Sequence, residues 1–65
     1  MKYYKGYYTD GVEYYRKVDD TSRYEYFSPR RQVWVESPYD WGHAHRDIKI
    51  VEVTVLEAVV AGIVQ

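Results

Sequence analysis

Residues 48–65 read IKIVEVTVLEAVVAGIVQ, and how this stretch folds decides the architecture. It contains ten Ile, Leu or Val side chains and every isoleucine and leucine in the chain. Residues 48–53 read as a short apolar strand. Thr54 and Glu57 then fit a capping box, in which the hydroxyl and the carboxylate each satisfy an open backbone N–H at a helix start. Leu56, Val59, Val60 and Ile63 follow at helical spacing, so the pattern predicts a helix over 55–64. β-Branched residues lose rotamer freedom in a helix and weaken that reading. A continuous strand over 48–60 competes with it, but it has no turn signal, and the helix is preferred.

Outward from this tail the chain changes character. The first 47 residues carry only four aliphatic branched side chains, Val12, Val18, Val33 and Val35. They hold instead all nine tyrosines, both tryptophans and the one phenylalanine. Neither part can bury its surface alone. The tail lacks a polar face, and the body lacks small aliphatic filler between its rings.

Residues 2–9 and 12–19 are aromatic-rich, which favours strands. Asp10-Gly11 between them is a hairpin signal, because a type I′ turn needs positive φ at both central residues. A two-residue Asp10-Gly11 loop sets Thr9 opposite Val12, Tyr7 opposite Tyr14 and Tyr3 opposite Val18. The valine-bearing face is then the expected core. Tyr4, Tyr8 and Tyr15 lie on the other. Residues 23–28 and 32–37 read as two more strands around Pro29-Arg30-Arg31. Their alternation turns Tyr24, Tyr26, Val33 and Val35 inward and Phe27 and Trp34 outward. Residues 38–47 show no periodicity and read as a loop longer than most. The expected fold is a single small α+β domain spanning 1–65: an antiparallel meander of four strands, five if 48–53 joins them, with one C-terminal helix.

Bulk properties exclude several functions. There is no cysteine, which removes disulfides and thiolate metal sites. A 65-residue core is small, and domains of this size usually add a staple; oligomerisation is the one that remains. Net charge is −1, from nine Lys/Arg against ten Asp/Glu. That balance disfavours a general nucleic-acid binder, whose affinity comes from neutralising phosphates. The aromatic fraction of 18% disfavours disorder. The N-terminus has no apolar signal core. The longest uncharged run, 58–65, is far short of the ~20 residues of a membrane span. A cytoplasmic protein that makes no use of membranes is the expectation.

Candidate chemistry is sparse. His43 and His45 are two residues apart beside Asp40 and Asp47, and in a strand they share a face. Zinc normally wants a third protein ligand, spacing alone fixes no geometry, and a solvated polar loop explains the pair. No metal or other cofactor is expected. No nucleophile motif or phosphate loop is present. Ser22, Ser28 and Ser37 fall in turns, where serine serves the backbone. The chain is expected to be non-enzymatic. Ser28-Pro29-Arg30-Arg31 reads as a β-turn with Pro in its favoured place.

The aromatics are more informative. Tyr4, Tyr8, Tyr15, Phe27 and Trp34 fall on one side of the meander if the two hairpins are continuous, with Trp41 in the loop beyond. Such rings suit a protein-binding hot spot or, as the alternative, the stacked bases of single-stranded nucleic acid or a nucleotide. Against both stands the plain possibility that the helix covers this face and the rings are core. The tail adds a second signal. A helix apolar nearly all round must be covered on more than one side, so a homo-oligomer is expected. A two-fold dimer is the simplest form, with Val55, Val59 and Ile63 at or near the interface. The sequence thus favours a protein-interaction module that self-associates, or a small inhibitor or adaptor of a larger, unidentified protein partner.

Overall fold

The computed structural model describes residues 1–17, 21–44 and 49–64, with the backbone alone for His43 and Ala44. Its elements are β1 (Lys2–Tyr8), β2 (Gly11–Lys17), β3 (Glu25–Ser28), β4 (Val33–Glu36), α1 (Trp41–Ala44), β5 (Lys49–Val53) and α2 (Val55–Val60). The strands form one five-stranded antiparallel sheet in the order β4-β3-β2-β1-β5. The first four make a meander. β5 returns to the free side of β1, pairing Tyr3 with Val53 and Tyr7 with Lys49. The α+β fold read from the sequence is therefore the observed one, and 48–53 supplies the fifth strand.

Three local readings need correction. The first hairpin turns on Thr9-Asp10, with Tyr8 opposite Gly11, so the Asp10-Gly11 register is off by two residues. Gly11 opens β2 with φ 153, and among the described residues the only non-glycine with positive φ is Gln32, so the turn is not type I′. Cross-strand packing explains the choice. The observed register sets Tyr4 directly opposite Tyr15, and both rings pack on Trp41, at 4.8 and 6.0 Å between centroids. Cross-strand aromatic pairs of this kind contribute up to about 1 kcal/mol each, and they outweigh the dipeptide's turn preference.

The second correction concerns the phase between the two hairpins. Tyr15 pairs with Tyr26, and Phe27 pairs with Trp34. Side chains alternate along each strand, so Tyr24, Tyr26, Val33 and Val35 lie with Tyr4, Tyr8 and Tyr15. Phe27 and Trp34 share the opposite face with Tyr3 and Tyr14. Each hairpin's own alternation follows the sequence; their relation does not, because a one-residue slip in the connection exchanges the faces. The expected core face of the first hairpin does pack on the core, through Tyr3 and Tyr14, but Val12 does not, since it is 49% exposed.

The third correction is to the length of α2, which stops at Val60 rather than Val64. Gly62, at φ 78, lets the chain leave the helix. The Ile63 N–H then reaches the Ala58 carbonyl at 3.1 Å and the Gly62 N–H reaches Val59 at 3.0 Å. These two bonds are a Schellman stop, with its usual apolar contact, here between the buried Ile63 and Ala58.

The sheet is covered on both faces. On one, Ala58 and Ile63 pack with Phe27, flanked by Tyr3, Tyr14 and Trp34. The Trp34 indole N–H donates to the Ile63 carbonyl at 3.0 Å, tying the tail to β4. On the other face Trp41 lies among Tyr4, Tyr15 and Tyr24. Its backbone N–H is held by the Ser22 carbonyl at 2.7 Å. The one-turn helix α1 that carries it stands where the sequence suggested only a loop.

Candidate functional site

The sequence placed its candidates in three groups, and the fold treats them differently. The ring group divides between the faces. Phe27 is 6% exposed under the tail, and Trp34 is held edge-on against it at 5.3 Å. Arg16 stacks on Trp34, its guanidinium carbon 4.6 Å from the ring centroid, while its Nε donates to Glu25 at 2.6 Å. The six candidates therefore do not form one face.

Tyr4, Tyr15 and Trp41 are brought together on the far face, joined there by Tyr24, which the sequence reading had placed only as an inward residue. Tyr15 and Tyr24 are buried and meet edge-on at 5.6 Å. Tyr8 is half exposed at the margin and shares a hydrogen bond with the Tyr15 hydroxyl, which also reaches the Glu13 carboxylate at 3.4 Å. Burial raises the pKa of both phenols above the ordinary 10.0, helped for Tyr15 by the bond to Tyr8 and for both by the nearby Glu13 carboxylate. Both groups are therefore held neutral. That is the wrong direction for a phenolate base or nucleophile. The rings of this face meet one another tilted or edge-on, and the Lys17 ammonium lies 5.6 Å from the Trp41 ring centroid.

The histidine group is not assembled by the described structure. His43 lies on α1 by its backbone, and His45 and Asp47 lie outside the described residues.

The tail group gives the clearest surface. Thr54 caps α2, its hydroxyl accepting from the Glu57 N–H at 3.1 Å and donating to the Glu57 carboxylate at 3.3 Å. Only Ala58 of α2 is buried. Val55, Leu56, Val59 and Val60 are 60, 72, 52 and 80% exposed. Ile63, grouped with Val55 and Val59 from the sequence, instead sits in its own chain's core at 1% exposure. Leu56 and Val60, part of the spacing that predicted the helix, are its outermost residues. The helix stops too soon for the 55-59-63 stripe to persist, and Gly62 turns Ile63 inward. Beside the helix, a groove of about 380 Å³ runs between Leu56, Val60 and the strand residues Lys5, Tyr14 and Val53. Lys5 lies over the Tyr7 and Tyr14 rings at 5.2 and 6.0 Å.

No family model matches the chain, and comparison with curated proteins and with solved structures gives no significant match. Among the described residues, no helix is long and apolar enough to cross a membrane.

Proposed function

We propose that this protein is a non-catalytic interaction module that pairs with a second copy of itself through the outer side of α2. The observation that carries this reading is the four-residue aliphatic surface of Val55, Leu56, Val59 and Val60, standing open to solvent on a capped helix. An aliphatic side chain presents roughly 60–120 Å², so the four together expose on the order of 150–300 Å² at the stated exposures. Contiguous apolar patches of a few hundred Å² commonly mark interaction sites. A stable interface needs about 800 Å² from each partner. The seam therefore extends beyond the helix, and the adjoining groove along Lys5, Tyr14 and Val53 is the apolar continuation at hand. Self-pairing also supplies the staple that a cysteine-free 65-residue chain needs.

Single-stranded nucleic acid is the weaker alternative. Its stacking platforms would be Tyr4, Tyr15 and Trp41, and these rings are packed against one another. Molar mass measured by light scattering across a concentration series tests the proposal. A dimer for the wild type, and a folded monomer for Val60→Glu, is the expected pair of results. A wild type that stays monomeric at the highest concentration removes it. A salt titration against a single-stranded oligonucleotide checks the alternative, because phosphate contacts lose affinity steeply with salt.

A further inference from the structure

We propose a second binding site, separate from the outer side of α2, that takes an extended peptide strand with alternating aliphatic and basic side chains. β2 pairs with β1 along all of its length, from Lys2↔Lys17 to Tyr8↔Gly11. Toward β3 it is paired only at Tyr15↔Tyr26 and Arg16↔Glu25. Beyond Tyr26, β3 continues with β4 as far as Ser28↔Val33. Past Tyr14 the two hairpins part, and residues 11–13 run on as an edge that β3, which ends at Ser28, leaves open. A cleft of about 710 Å³ fills the split. Val12 and Tyr14 line one wall, Phe27 and Pro29 the other, and Ile63 closes it beneath the tail.

Two features identify the occupant. In an antiparallel ladder, alternate residues direct N–H and C=O to one neighbour and the next to the other. Gly11, Glu13 and Tyr15 turn theirs to β1, so Val12 offers both backbone groups to the cleft and Tyr14 its N–H, the Tyr14 carbonyl being committed to Phe27 by the Tyr15↔Tyr26 pairing. Strand addition uses such an edge, with pockets for alternate side chains supplying specificity, and here Phe27, Val12 and Ile63 provide an aliphatic one. The second feature is charge. Asp10 and Glu13 border the cleft, as do Ala61 and Gly62 at the carbonyl end of α2. Negative charge on one rim selects Lys or Arg on the incoming strand. Arg30 and Arg31, at the tip of the facing turn, lie outside the lining, so the strand's cations belong at the β1–β2 end.

The test uses a capped seven-residue peptide alternating valine and lysine, titrated into the intact protein and followed by backbone amide NMR. Shifts at Gly11, Val12, Glu13 and Tyr14 are expected. The same peptide with glutamate in place of lysine should bind at least about tenfold more weakly. Asp10→Asn with Glu13→Gln should shrink that difference. A peptide N-methylated on alternate residues should lose binding. Perturbations confined to other residues, equal affinity for the two charges, or unchanged binding after N-methylation each overturn the proposal. So does dilution of the protein alone moving the same four amides, which would make the occupant a second copy of this chain.

Discussion

Single side chains in this molecule hold several jobs at once, and the consequences can be measured. Arg16 is paired with Glu25 and stacked on Trp34, with side-chain exposures of 23 and 25% for the ion pair. A guanidinium is planar and serves both contacts together, whereas an ammonium cannot. Arg16→Lys keeps the charge and should still cost on the order of 1 kcal/mol in urea unfolding; a midpoint equal to the wild type would show that the stack contributes nothing. Tyr15 gives a pH dependence. It and Tyr8 hold their protons above the ordinary 10.0 in the fold, while in the unfolded chain they ionise near that value. Below pH 10 both states are protonated and the contribution to stability is fully present. Above it the unfolded chain releases protons that the folded chain keeps, so stability falls as pH rises. Tyr15→Phe should flatten that alkaline decline in melts followed by circular dichroism. An undiminished slope would place its cause elsewhere.

At the scale of elements, α2 shows what the sequence could convey and where it could not. Thr54 and Glu57 marked the helix start, because capping is chemistry between residues three apart. Thr54→Ala should lower stability by about 1 kcal/mol, and a thermal midpoint unchanged from the wild type would show that the cap is idle. The helix end was harder to see. Gly62 carries the stop signal, but the apolar residues beyond it imitate one more turn, and only the core position of Ile63 distinguishes the two. Gly62→Ala forces a Cβ into φ 78, where nothing crowds it but the backbone is strained. A loss of about 1 kcal/mol is expected, and none would mean that the stop relaxes freely. The strands follow the same division. Alternation within each hairpin was legible from residues such as Tyr24 and Tyr26. The register of β1 against β2 was not, because it rests on Tyr4 and Tyr15 meeting Trp41, a residue 26 positions beyond Tyr15. Nor was the pairing of Phe27 with the Tyr14 face, which depends on the connection between two hairpins rather than on either one. The aromatic candidates all take part in packing contacts, but their sides were assigned from a continuity that the sheet does not keep.

At the scale of the whole molecule, a five-stranded sheet carries a thin layer on each side: one tryptophan-centred cluster, and one short helix that buries a single alanine together with Ile63. Small domains retain little stability after conformational entropy is offset, and this one also leaves its most aliphatic segment in water. The proposed pairing removes that surface, and coupling between assembly and stability follows. A partner that binds only the folded state stabilises it by mass action, so the melting temperature of the wild type should rise with protein concentration. Val60→Glu places a charge at the most exposed position of α2, 80% open to solvent. It should leave the far-ultraviolet spectrum intact and the dilute-limit melting temperature nearly unchanged, since exposed substitutions usually lie within about 0.5 kcal/mol, while abolishing the concentration dependence. Leu56→Lys, on the groove side of the helix, should do the same. If the wild type melts at one temperature over a hundredfold dilution beginning from a concentrated sample, the open side of α2 is not a self-association surface. If both variants retain the dependence, the chain assembles through another face, and the unpaired edge of β2 becomes the next surface to substitute.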